Sequence, residues 1–156
     1  MSGESAHLLR RMEPRDVDAV VLIERASFPK PWGPEQFLKE LGSEWSTILL
    51  AVARGGQIAG FVHYWVVHDE LHILNVACAP ALRRQGVARR LLAETEARAV
   101  AAGSALLTLE CRRSNTAAQA LYAGLGYEPA GVRKKYYSEE GEDAIVMTRT
   151  LRDRGF

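Results

Sequence analysis

Scarcity says more about this 156-residue chain than abundance does. It has two cysteines, Cys78 and Cys111, too few for a disulfide framework and without a metal-binding spacing. Free cysteines fit a reducing compartment. Lysine and arginine number 20 against 19 acidic residues, a net charge of +1, so there is no broad basic field for nucleic acid and no acidic bias. No apolar run approaches the roughly 20 residues that a membrane helix needs. The start, "MSGESAHLLRRM", has no long apolar centre of the kind a signal peptide carries. Repeats, low-complexity tracts and long linkers are missing too. Two nucleotide signatures are absent. A P-loop needs a glycine-rich loop closing on Lys and Ser/Thr, and a dinucleotide fingerprint needs three glycines. What remains is ordinary: 47% hydrophobic and 25% charged residues, in a chain long enough to bury a core. The expectation is a single domain over residues 1–156, cytoplasmic and monomeric, with no membrane or nucleic-acid partner.

What is present has a clear order. "AHLLRRM" reads as a strand, and Pro14 ends it. "RDVDAVVLIERASF" has helical spacing at Val17, Val20 and Val21. Pro29 and Pro31 force an extended connection, and "PEQFLKELG" starts on a proline and stops on a glycine, as a short helix does. "STILLAVAR", "QIAGFVHYWVV" and "ELHILNVAC" read as three consecutive strands, the first two joined at Gly55–Gly56. "ALRRQGVARRLLAETEARAVAAG" is a helix, with Arg90–Glu94 and Glu94–Arg98 four apart and Gly103 as terminator. "SALLTLEC" is a near-continuous apolar run, which predicts a central strand covered on both faces. "SNTAAQALYAGLG" is a helix with a Ser/Asn cap, and "YEPAGVRKKYY", "SEEGE" and "DAIVMTRTL" predict a final hairpin. The order β-α-α-β-β-β-α-β-α-β-β implies an α/β chain with a mixed sheet and helices on both faces.

Two places invite chemistry. "RRQGVA", residues 83–88, lies between a strand and a helix, where unpaired backbone N–H groups and the helix dipole favour an anion. Gly86 leaves room for close approach, and Arg83, Arg84 and Arg89 add charge. A pyrophosphate suits the site; a plain helix start with solvated arginines is the other reading. The second place is Glu110, a carboxylate at the end of an apolar strand, with Tyr122 twelve residues on. Glu110 reads either as a base or as a solvated edge charge, and Tyr122 either as an acid or as a core aromatic.

"RRQGVA" resembles the Q/R-x-x-G-x-G/A motif of the GNAT family of N-acetyltransferases, and the element order is that of its fold. "ASFPKPW", "ILNVACAPALRRQGVARRLL", "LECRRSNTAAQALYAGLGY", "RKKYY" and "EDAIVM", in that order, are similar to the branch that acetylates ribosomal-protein alanines. The resemblance implies a mostly antiparallel sheet of about seven strands, splayed between the fourth and fifth. It implies acetyl-CoA as cosubstrate, held by the backbone of Val76, Ala77 and Cys78 and by Arg84, Gln85, Gly86, Val87, Ala88 and Arg89, with Asn115 also reaching it. Alanine at 88 departs from the double-glycine form and is an accepted variant. Glu110 would be the base and Tyr122 the acid, and Trp32, Tyr136 and Tyr137 would wall the peptide groove. The expected substrate is the N-terminal alanine of small-subunit ribosomal protein eighteen, acetylated by direct attack in a ternary complex. The chemistry agrees. An α-amine with a pKa of about 7.7–8.0 needs a base, and a thiolate leaves more readily toward a tyrosine of pKa about 10. Alternatives are acetylation of lysine or a small-molecule amine, and a non-catalytic acyl-CoA-binding module. Cys78 and Cys111 as nucleophiles, or His63, His68 and His72 as metal ligands, fit the pattern less well, and no metal is expected.

Overall fold

The computed structural model describes residues 7–137 and 142–152, without the side chains of residues 135–137. Most of the expected "SEEGE" turn therefore lies outside the described residues. The elements are β1 (His7–Arg11), α1 (Val17–Ser27), α2 (Pro34–Glu40), β2 (Ser46–Ala53), β3 (Ile58–Val67), β4 (Glu70–Cys78), α3 (Val87–Ala101), β5 (Leu106–Arg112), α4 (Thr116–Gly124), β6 (Glu128–Tyr137) and β7 (Glu142–Thr150). Short 3-10 turns at Pro14–Asp16 and Pro80–Leu82 lead toward α1 and α3. The expected order holds. The seven strands form one sheet in the order β1-β2-β3-β4-β5-β7-β6, mostly antiparallel with one parallel pair, β4–β5.

The chain divides into two compact units. One comprises Met1–Val66 with Leu74–Arg98, the other Val67–Ile73 with Ala99–Phe156. In the first, Val20, Val21 and Ile23 of α1 and Phe37 of α2 bury against Ile48, Leu50 and Phe61 of β2 and β3. Phe37 and Phe61 are fully buried, each contributing about 2–3 kcal/mol by removal from water. Asp16 ties β1 to α1. Both its oxygens accept the Arg10 guanidinium, at 2.8 and 2.9 Å, and the Glu13 N–H donates to one of them at 2.8 Å. That fork holds the Asp16 carboxyl below the usual carboxylate range. On α3 the Glu94–Arg98 pair forms at 3.0 Å, but Arg90 turns to the His7 carbonyl at 3.3 Å instead of pairing with Glu94.

In the second unit, β4 and β5 register from Glu70↔Leu106 to Ile73↔Leu109. β5 departs from expectation. Leu107, Leu109 and Cys111 are buried, while Leu106, Thr108, Glu110 and Arg112 are half-buried. The strand is covered on one face only. Its apolar run hid a period of two, because Leu106 sits on the open face among polar neighbours. β5 pairs with β7 from Leu106↔Thr150 to Arg112↔Ala144, and β7 pairs with β6 across a register shift between Pro129 and Gly131. The expected terminator works at Gly103, where the Ser104 N–H closes on the Ala99 carbonyl at 2.9 Å. Asn115 caps α4, its Oδ1 accepting the Ala118 N–H at 3.1 Å.

Candidate active site

Three elements of the first unit build the part of the site expected to hold the cosubstrate. The end of β4 carries Val76, Ala77 and Cys78, of which Ala77 is buried. It runs hard against β3 at Gly60. A Cβ there would meet the Ala77 carbonyl oxygen at 2.7 Å and Val87 Cγ1 at 2.9 Å. Only glycine allows β3, β4 and the start of α3 to approach so closely. The loop into α3 exposes Arg83, Arg84, Gln85 and Gly86, while Val87 is buried and anchors the helix. Arg84 has φ 65° and Gly86 φ 76°. For an arginine that conformation costs on the order of 1–3 kcal/mol, and such strain concentrates at ligand clamps. Left-handed residues in a turn are the kind of backbone from which N–H concavities for phosphate oxygens are built. Arg83, Arg84 and Arg89 make no ion pair among the described residues. Unpaired cations around a helix start favour an anionic ligand.

The thiol of Cys78 accepts the Ala88 N–H, and burial pushes it up, with the Ala88 bond and the Arg83 charge opposing. Burial likewise pushes the Cys111 thiol up. Neither cysteine is poised as a thiolate nucleophile.

Glu110 lies on the open face of β5, its side chain one-quarter exposed, registered with Val146. Its Oε1 is 3.4 Å from Arg133 Nε of β6. Arg133 was not singled out in the sequence, because the contact depends on the register shift in β6. Asn115 is exposed, and its cap leaves the Nδ2 donor for a ligand. Tyr122 is 8% exposed, with its ring centroid 5.7 Å from that of Tyr127. The end of α4 is gripped by Arg149, which donates to the Leu125 carbonyl at 3.0 Å. Arg149 shares its strand face with Ile145 and Met147, opposite the face of β5–β7 that carries Glu110. Tyr136 and Tyr137 lie on the β6 backbone, and their side chains fall outside the described ones.

Trp32 is half-buried and packs against the first unit's core, its ring centroid 5.4 Å from both Phe37 and His63. Its backbone N–H donates to Glu24 Oε2 at 3.0 Å. Glu24 is 1% exposed, and its other oxygen accepts from Asn75 of β4 at 3.3 Å. Burial pushes the Glu24 carboxyl above its usual range, opposed by the Trp32 and Asn75 hydrogen bonds. The carboxylate joins the Trp32 loop to the strand just before Val76. A signal for it was available: Glu24 stands three and four residues after Val21 and Val20, on the buried stripe of α1. His63 is fully buried, sharing Nε2 between Glu40 at 3.0 Å and Ser46 at 2.9 Å. Among the described residues no cluster of His, Cys, Asp and Glu is arranged to hold a metal, and no helix is long and apolar enough to cross a membrane.

A family model described as the acetyltransferase (GNAT) family matches residues 17–127. The ribosomal protein bS18-alanine N-acetyltransferase of Escherichia coli (strain K12) is 36% identical over 138 residues, 87% of this chain and 92% of that protein. A Bacillus subtilis (strain 168) protein given the same name provisionally is 35% identical over 145 residues, 93% of this chain and 96% of its own. The crystal structure of the ribosomal-protein-S18-alanine N-acetyltransferase from Escherichia coli matches with a TM-score of 0.84 at 32% identity, covering 96% of this chain and 98% of that one.

Proposed function

The chain belongs to the GNAT acetyltransferase family, and from that premise we propose that it acetylates the α-amine of an N-terminal alanine, with ribosomal protein bS18 as its target. The observation that supports this most is the place of Glu110. It is an ionisable group on the open face of β5, in a chain that matches relatives named for this reaction over most of its length.

Acetyl-CoA supplies the acetyl group as a thioester. Arg84 to Arg89 hold its pyrophosphate, and the backbone of Val76 to Cys78 and Asn115 hold the rest. Glu110 removes a proton from the incoming ammonium, directly or through water, so that the amine nitrogen can attack the carbonyl carbon. A backbone N–H of β4 stabilises the oxygen that gains charge. As the carbon–sulfur bond breaks, the Tyr122 hydroxyl donates its proton to the sulfur, and the nitrogen, now in an amide, gives up its second proton to restore the tyrosine. With both thiols pushed up by burial, the transfer is direct and passes through no acyl-enzyme. Trp32, Tyr136 and Tyr137 wall the peptide path. The enzyme works in the cytoplasm as a monomer, on a protein terminus and apart from membrane and nucleic acid.

The test offers acetyl-CoA with peptides that differ only at residue one, beside an N-terminally blocked peptide carrying lysine. Acetylation of the alanine peptide is expected, and modification of the lysine alone would overturn the claim. Glu110→Gln should lower kcat by about 100-fold or more while CoA affinity stays within about twofold. CoA binding without any turnover would favour a non-catalytic acyl-CoA module.

A further inference from the structure

The segment joining β5 to α4 carries Arg112, Arg113, Ser114 and the cap Asn115. Holding such a loop in one shape costs about 1–2 kcal/mol of backbone entropy per residue. The restraint comes from β7. Glu142 Oε1 accepts the Ser114 N–H at 2.8 Å and the Ser114 hydroxyl as well, and Oε2 lies 3.4 Å from Arg112 Nη1. Beside it the Arg113 N–H donates to the Asp143 carbonyl at 3.1 Å, and the Arg113 guanidinium pairs with the Asp143 carboxylate at 3.5 Å. From α4 itself, Gln119 Nε2 donates to the carbonyls of Arg112 and Arg113 at 3.2 and 2.9 Å. The loop is thus fixed on both sides, and each of its two cations has a carboxylate beside it.

We propose that Glu142 is a positioning residue for cosubstrate binding. By fastening Ser114 it sets the direction in which Asn115 Nδ2 and the first N–H groups of α4 face acetyl-CoA, and by pairing Arg112 it keeps that cation from reaching for the ligand. The inference rests on the reading of Asn115 as a contact to acetyl-CoA. Ser114 is then a relay for the carboxylate, while Asn115 caps the start of the helix.

The experiment compares Glu142→Ala, Ser114→Ala and the double variant with the parent in the full-length chain. CoA affinity is measured by calorimetry, KM for acetyl-CoA and for peptide and kcat by turnover, and folding by thermal melting. Glu142→Ala should raise KM for acetyl-CoA about tenfold, the scale of one lost charge-assisted hydrogen bond. Peptide KM and kcat should stay within about twofold. Ser114→Ala should act in the same direction by less, and the double variant should be no worse than Glu142→Ala alone, because both cut one link. An unchanged acetyl-CoA KM would overturn the proposal. So would an equal loss in both KM values and kcat, which marks general destabilisation; where Glu142→Ala melts too early to assay, an unchanged acetyl-CoA KM in Ser114→Ala would overturn it as well. A parent protein that binds no CoA would remove the acetyltransferase reading along with this one, whereas a parent that binds and a variant that binds equally well would remove this one alone.

Discussion

Arg83–Arg84 precede α3 and Arg112–Arg113 precede α4, and the fold gives these two arginine pairs opposite fates. The first pair is exposed, Arg84 is held at φ 65°, and no carboxylate meets either residue among the described ones. The second pair is met side chain for side chain by Glu142 and Asp143. The difference lies in what runs alongside. β7 passes β5 in antiparallel register, with Arg112 opposite Ala144, and so delivers two acids at the height of the second pair. No residue from Ala79 to Arg89 is acidic, so nothing within the first loop offsets its charge. Both loops end in a helix start; the second is a strapped corner, and the first is an anion receptor on the reading proposed above.

The largest expected effect comes from breaking the free pair. Arg83→Ala/Arg84→Ala should raise KM for acetyl-CoA by about 10- to 100-fold, and the salt dependence of that KM should flatten, as it must when charge–phosphate contacts are lost. A double variant with the parent's KM would erase the contrast.

The next effect is one of pH, and it sets Glu142 against Glu24. The Ser114 donors hold the Glu142 carboxyl below its usual range, with Arg112 assisting. Its contribution is therefore complete above the ordinary carboxylate range and is lost as pH falls through the depressed value. Burial raises Glu24, so its contribution has the other sign, present below the ordinary range and lost as pH rises through the elevated value. Melting temperatures from about pH 4 to about pH 7 should show this. Relative to the parent, Glu24→Gln should gain with rising pH and Glu142→Gln should lose. Parallel trends would mean that the two carboxylates sit in equivalent surroundings.

The smallest effect is expected where charge is already neutralised. Arg112→Ala/Arg113→Ala should leave the salt slope of the acetyl-CoA KM close to the parent's. A slope as flat as that of the Arg83/Arg84 variant would put the second pair on the ligand too.

The elements were legible because their signals are local: a proline opening α2, Asn115 capping the start of α4, Gly103 ending α3, branched residues through β3. Glu110 was legible as an oddity, a charge ending an apolar run. The face it occupies was misread. Two adjacent leucines at 106 and 107 conceal an alternation that only Thr108 and Glu110 betray, and coverage depends on what packs there rather than on the strand. Contacts made at a distance left no local trace. Glu142 reaches Ser114 across 28 residues, and Arg133 meets Glu110 only after a bulge has shifted β6. Glu24 could have been read, since a carboxylate on a buried stripe needs donors and the chain has to supply them.

The alternation of β5 also limits how the chain can change in length. Between the end of α3 and Leu106 lie four residues, Ala102 to Ala105. A residue added or deleted here that slips β5 by one against β4 and β7, instead of being taken up by the turn, would turn every side chain of the strand over and send Glu110 into the apolar layer. Two added residues would restore the faces and move the carboxylate by one repeat. Length variants of this short turn should therefore keep activity at odd steps only where the turn itself takes up the change and leaves the pairing of β5 in place.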